Sequence, residues 1–168
     1  MSKRNKEKFE CIVEDILNHK EFVKLKGELH HGISRYEHSL RVAKAAYHIS
    51  KSMKLDYKSI TRAALLHDFF FDEELSEYNK RQTLVEHPKK ALENAKMYFE
   101  LSKEQENAIV SHMFPLVGTI PKYKESLVVG LADKVVATHE MYRYKAVMQL
   151  GIVMIFFFNM MAVFHHMD

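Results

Sequence analysis

Apolar residues recur at helical spacing along most of the chain, and no stretch shows the two-residue alternation of a half-buried strand flanked by turn chemistry. Phe9, Ile12, Val13, Ile16 and Leu17 predict a first helix, from Phe9 to about Lys20. Tyr36, Leu40, Ala43, Tyr47 and Met53 predict a second, with Ser34 as its cap and Gly32 in the loop before it. A third covers about Tyr57 to Phe70, where Ile60, Ala63, Ala64 and Leu65 form a nearly continuous apolar face. The polar stretch from Asp72 to Gln82 predicts a loop or short turn. Pro88 fits the first turn of a fourth helix, with His87 just ahead of it and Ala91, Leu92, Ala95 and Phe99 following. Ser102 and Gln105 make a capping-box pattern for a fifth helix that runs toward His112. Pro115 and Pro121 bracket a loop, and a sixth helix starts near Tyr123 and continues into the Tyr142 region. No internal repeat breaks the series. The pattern predicts an all-α protein.

The apolar run from Ala146 to Phe164 holds Gln149 and Asn159 as its two strongly polar residues. Its length meets the roughly 20 residues that a membrane span needs. Both polar side chains would cost energy in lipid, so the run is expected to be either a helix buried on the bundle or one that forms a homodimer. A membrane is not an expected partner.

Composition narrows the class. A chain of 168 residues can bury roughly 70% of its unfolded surface, so it needs no disulfide or metal staple to fold. Its 47% apolar and 28% charged residues are ordinary for a globular protein. The single cysteine, Cys11, excludes an intramolecular disulfide and a thiolate-rich zinc site. Twenty-five Lys and Arg against 22 Asp and Glu give a net charge of +3, too mild for a nucleic-acid binder. The N-terminal run from Met1 to Lys8 has no apolar core of a signal peptide, so a cytoplasmic setting is expected. Eleven histidines are the unusual feature, and their neighbourhoods carry the chemistry.

His67 and Asp68 end the apolar stretch Ala63-Ala64-Leu65-Leu66 and precede three phenylalanines. Asp133 lies inside a second apolar stretch, between Ala132 and Lys134. A buried carboxylate costs several kcal/mol unless it is paired, hydrogen-bonded or metal-bound. His38, His87 and His112 sit on or beside three further predicted helices. Imidazoles and carboxylates offered from several helices toward one centre are how helical bundles build metal sites. The adjacent pairs His30–His31 and His165–His166 cannot both face one ion, and they are expected to be exposed.

In order and rough spacing, His38, His67–Asp68 and Asp133 resemble the H…HD…D signature of the HD-domain metal-dependent phosphohydrolases. The flanks Tyr36-Glu37-His38-Ser39-Leu40-Arg41, Ala64-Leu65-Leu66-His67-Asp68 and Ala132-Asp133-Lys134 strengthen the likeness. His87-Pro88 and Ser111-His112-Met113 resemble the two further histidines of the subset that holds two metals. The likeness spans about Gly32 to Glu140. It implies a compact helical bundle of the HD type, with residues 1–168 forming one domain, a core at about 32–140 and an apolar C-terminal helix at about 146–164. It also implies one or two divalent ions per chain and hydrolysis of a phosphomonoester or phosphodiester, often of a nucleotide, by a metal-activated water. By resemblance, His38, His67, Asp68 and Asp133 hold the first ion, and Asp68 bridges to a second held by His87 and His112. Mixed imidazole and carboxylate ligation suits Fe, Mn, Ni, Co or Zn alike.

Positive side chains should cradle the phosphate. Arg41 is the foremost candidate, one helical turn from His38, because a guanidinium grips phosphate in a fork. Lys44 and Lys134 follow, and the phase of the second helix brings Arg35 near more weakly. Lys134 points about 100° around the helix from Asp133, so pairing with a carboxylate is its other expected role. Phe69, Phe70 and Phe71 stand where many family members carry a polar residue, which leaves Asp72 and Glu73 as weak candidates for a general acid. The Gly-Tyr-Pro signature of the cyclic-dinucleotide branch is absent. The expected function is hydrolysis of a nucleotide or related small phosphate ester, with Asp68, Arg41 and Lys134 as catalytic residues. The competing reading is a metal-bound regulatory or sensor module with little turnover, tied to a membrane through the apolar tail.

Overall fold

The computed structural model describes residues 3–30 and 32–165, with side chains placed at 8–29, 32–151 and 154–155. The pairs His30–His31 and His165–His166 therefore lie outside the described side chains, as does most of the apolar tail. Among the described residues there are seven helices: α1 (Lys3–Leu17), α2 (Lys20–Val23), α3 (Arg35–Ser52), α4 (Tyr57–Leu66), α5 (Lys80–Tyr98), α6 (Lys103–Ser111) and α7 (Lys124–His165). The fold is all-α, as expected. The chain divides into two compact units, one ending at Val136 and the other beginning at Ala137.

In the first unit, α4 is the central helix, packed on α3, α6 and α1. Its residues Ile60, Thr61, Ala63, Ala64, Leu65 and Leu66 are all buried, which explains why the sequence there is apolar with small alanines at the closest approaches. Asp56 caps its start by accepting from the Lys58 and Ser59 amides. Phe9, Val13 and Ile16 bring α1 onto this core, and the Arg62 guanidinium fixes the crossing by a two-pronged ion pair to Asp15 at 2.6 and 2.7 Å. Tyr47 of α3 is fully buried, edge-on to Phe9 and Tyr57.

Three departures from the sequence reading bear on the site. The first predicted helix is broken into α1 and α2, followed by a 3₁₀ turn at Lys24–Lys26. A small hairpin then pairs β1 (Leu29–His30) with β2 (Ile33–Ser34), and Gly32 takes the left-handed φ of +79° that this turn requires. Strands of two residues are too short to show any alternation.

The third departure concerns the histidine before Pro88. That helix begins eight residues earlier than expected, at Lys80, and Pro88 lies inside it. Asn79 accepts from the amides of Arg81 and Gln82, and the Gln82 side chain accepts from the Asn79 amide, a complete capping box at the true start. His87 is thus a mid-helix residue rather than a loop residue.

The starts of α3 and α6 agree closely with the sequence reading. Ser34 caps α3 by accepting from the Glu37 amide, and Ser102 with Gln105 caps α6. The second unit continues α7, and its Met141, Tyr142, Val147, Leu150, Met154 and Ile155 are exposed. Among the described residues no helix is long and apolar enough to cross a membrane.

Candidate metal centre

Helix α4 stops at Leu66, leaving His67 as its C-cap and Asp68 beyond it. The chain turns sharply there, with the Phe69 amide on the Leu66 carbonyl and the Phe70 amide on the Asp68 carbonyl. Two side chains hold the turn open. The Asn94 amide of α5 donates to the Phe69 carbonyl at 3.1 Å, and the Arg35 guanidinium donates to the Phe70 carbonyl at 3.0 Å. The third predicted helix thus ends four residues early, in a turn that side chains from α3 and α5 hold from outside.

Asp68 stands at the middle of the centre, and its two oxygens face different histidines. Oδ2 lies 4.0 Å from His38 Nε2 and 3.6 Å from His67 Nε2. Oδ1 lies 3.4 Å from His87 Nε2 and 3.6 Å from His112 Nε2. Asp133 of α7 completes the first set, with Oδ1 3.3 Å from His38 Nε2 and 3.7 Å from His67 Nε2. All six residues expected from the sequence as ligands are therefore brought together. They form overlapping groups of three whose donor atoms lie within 4.8 Å of one another.

The tautomers explain why these rings are ready for a cation. Nδ1 of His67, His87 and His112 donates to the carbonyls of Ala64, Thr83 and Ile109 at 2.8, 2.9 and 2.8 Å. Each bond fixes the ring and leaves the lone pair on Nε2, as metal-binding histidines require. Nε2 of His87 and Nε2 of His112 then face each other at 3.0 Å. Two lone pairs so close repel unless a cation or a proton lies between them. Moreover, His67 Nε2 and Asp68 Oδ1 are buried polar atoms with no hydrogen-bond partner. Such orphans are costly, and divalent cations satisfy them. The donor set fits a divalent metal on these grounds.

The electrostatics agree. Burial disfavours ionisation of Asp68, yet the surrounding imidazoles of His67, His87, His112 and His38 outweigh it and hold the carboxyl well below the usual range. Burial likewise works against Asp133, and the neighbouring imidazoles of His38 and His67 outweigh it and hold the carboxyl well below its usual range. Burial would lower His67, but Asp68 and Asp133 raise it instead. His112 is fully enclosed, and burial together with the charge of His67 pushes its imidazole down to about 3. It is therefore neutral and able to ligate at any ordinary pH.

The cationic candidates part company. Arg41 and Lys44 are exposed on α3, with Arg41 one turn beyond His38. Arg35 is buried: its guanidinium pairs with Asp72 at 2.7 Å and Glu28 at 3.2 Å and stacks over the Phe70 ring at 3.8 Å. Asp72, named in the sequence as a weak general-acid candidate, is the partner of Arg35 in that pair. Lys134 is half-buried, and its ammonium donates to the His112 carbonyl at 2.7 Å and to the Gly130 carbonyl at 3.3 Å, with no carboxylate partner. Burial lowers the Lys134 ammonium below its ordinary value.

Asn94 and Gly130 shape the site without having drawn attention in the sequence, and Phe70 was noted there only as a departure from the family pattern. The Phe70 ring meets the His87 ring at 5.2 Å as well as the Arg35 guanidinium. Asn94 lies seven residues after His87, on the same face two turns along α5, and that spacing is the one signal that could have found it.

Six side chains delivered by separate helices, with one carboxylate set between two groups of histidines, are the arrangement that the sequence likeness implied. The profile of the HD-domain family matches residues 35–138, more than half of the chain and every ligand described above. The chain belongs to the HD-domain family. No curated protein and no solved structure matches it significantly. The matched segment of this HD domain opens at Arg35, the first residue of α3, and closes on α7 one turn beyond Lys134.

Proposed function

We propose that this HD domain is a metal-dependent phosphohydrolase acting on a nucleotide or related small phosphate ester, in a cytoplasmic setting. The observation that carries the reading is the placement of Asp68, one oxygen toward His38 and His67 and the other toward His87 and His112. That placement suits a carboxylate shared by two divalent ions. Such ions, when bound, supply the positive charge that acidifies water and neutralises phosphoryl oxygens.

The chain's own residues prepare the rest. His38, His67 and Asp133 would hold the first ion, and His87 and His112 the second, with Asp68 common to both. The three backbone-anchored rings are already in the ligating tautomer, so little reorganisation is needed. The apolar walls provided by Phe69, Phe70 and the α4 core exclude water from behind the ligands and strengthen their field. Arg41, exposed one turn from His38, would grip an incoming phosphate.

The test is a panel of nucleoside mono-, di- and triphosphates, dinucleoside polyphosphates and p-nitrophenyl phosphate, incubated with purified protein and Mn²⁺. Phosphate release from at least one class is expected, with Asp68→Ala inactive and depleted in metal. Full activity of Asp68→Ala at equal metal loading, or no hydrolysis of any ester, would refute the reading.

A further inference from the structure

Lys134 shares a helical turn with a metal ligand, yet its ammonium is directed at backbone. We infer that Lys134, acting together with Gly130, is a positioning residue that fixes His112 for the second ion rather than a phosphate-binding residue. The inference rests on the two-ion reading of the centre and not on the hydrolysis itself.

The argument begins at the end of α6. That helix closes at Ser111 with His112 as its C-cap, so the His112 carbonyl belongs to the last turn, whose acceptors have no partner within the helix. Helix α7 crosses this end at very short range. A Cβ built on Gly130 would lie 2.9 Å from the His112 carbonyl oxygen, with the His112 carbonyl carbon and Cα at 3.7 Å. Only glycine allows that approach without moving backbone, since the obstructing atoms are themselves main chain.

One turn further along α7, the Lys134 ammonium reaches back to the same His112 oxygen at 2.7 Å. It therefore satisfies an acceptor that would otherwise be orphaned, and it places positive charge at the negative end of α6. The ring is tied at its other end by the Nδ1 bond to the Ile109 carbonyl. Backbone and imidazole are thus held separately, and Nε2 is left facing His87 Nε2 and Asp68 Oδ1. Between Gly130 and Lys134, Asp133 reaches His38 and His67 from the same turn. A single turn of α7 thus supplies a ligand to one ion and anchors a ligand of the other.

The test is titration of the metal-free full chain with Co²⁺, read by visible absorption and calorimetry, with no substrate present. In Lys134→Met the first ion should bind within about twofold of the unmodified protein. The second should weaken roughly 10- to 100-fold, the usual cost of removing a residue that orients a metal ligand. Lys134→Arg, which keeps a charged donor, should recover part of that loss. Gly130→Ala keeps the lysine but displaces the His112 carbonyl, and should also weaken the second ion selectively. It decides the matter if Lys134→Met does not fold. Two ions bound by Lys134→Met with unmodified affinity, whether or not KM for a phosphate ester rises, would overturn the inference. So would equal weakening of both ions in folded Lys134→Met and Gly130→Ala, or saturation of the unmodified protein at one ion.

Discussion

At the scale of single residues, the centre is organised by which nitrogen of each imidazole is left free. Carbonyls three or four residues back take Nδ1–H from His67, His87 and His112, so each Nε2 points inward with its lone pair. Asp68 and Asp133 bring negative charge to balance a cation. Removing Asp68 subtracts the shared ligand, so Asp68→Ala should lose most bound metal while circular dichroism stays helical. His87→Ala should bind one ion instead of two and turn over far more slowly, as metal analysis and initial rates would show. The enclosed His112 also has a pH signature in the metal-free protein. Its folded value of about 3 lies below the unfolded 6.5, so between these values the unfolded chain binds the extra proton. Stability from this residue is then intact above pH 6.5, falls as the pH drops, and levels off near 3. His67 is shifted the other way, its contribution being present below its unfolded value and lost as pH rises through the folded one. Urea titrations at pH 7 and pH 4.5 should therefore show a smaller acid loss in His112→Asn than in the unmodified protein. An identical loss in both would contradict the placement of His112 in a closed, proton-excluding position.

At the scale of elements, each ligand owes its place to a helix end or a helix phase. The Asn79 capping box sets the start of α5, and two turns later His87 faces inward. Asn79→Ala should cost about 1 kcal/mol, the usual value of such a cap. In a domain of this size that is a fall of roughly 2–4 °C in melting temperature, measurable by calorimetry. Much of this organisation was legible in the sequence. Ser34 before α3, and Ser102 with Gln105 before α6, announce themselves because cap chemistry is local and depends on few residues. His67, Asp68 and Asp133 were legible because ionisable residues inside apolar stretches must have partners, whereas His38, His87 and His112 were assigned to the same centre by the family likeness. Pro88 misled because proline at a first turn is common, whereas here Asn79 and Gln82 had already started the helix. The early end of α4 was not legible at all. The turn that follows it is held by Asn94 and Arg35 at the Phe69 and Phe70 carbonyls from 25 and 35 positions away, and no local pattern encodes that. The two-residue strands and the fate of Lys134 were hidden for the same reason, since each is decided by a neighbour distant in sequence.

At the scale of the whole molecule, one centre gathers side chains from α3, the end of α4, α5, the end of α6 and α7. Opening any of these helices dismantles it, so ion binding and folding of the first unit are thermodynamically linked. A ligand that binds only the folded chain adds about 2.7 kcal/mol of stability at a free concentration 100 times its Kd. For a chain of this length that corresponds to a rise of roughly 5–11 °C in melting temperature. Scanning calorimetry of metal-free protein with and without excess Mn²⁺ should show this rise, and Asp68→Ala should show little of it. The six side chains of the centre all lie within the first unit, and the family match closes at 138, ahead of the apolar run from Ala146. A chain ending at Lys145 should therefore keep the full Mn²⁺-dependent rise, whatever the apolar run does for association of the intact protein. A rise that disappears on truncation, with the helical signal retained, would mean that residues beyond 145 reach the ions and that the centre is larger than its six ligands.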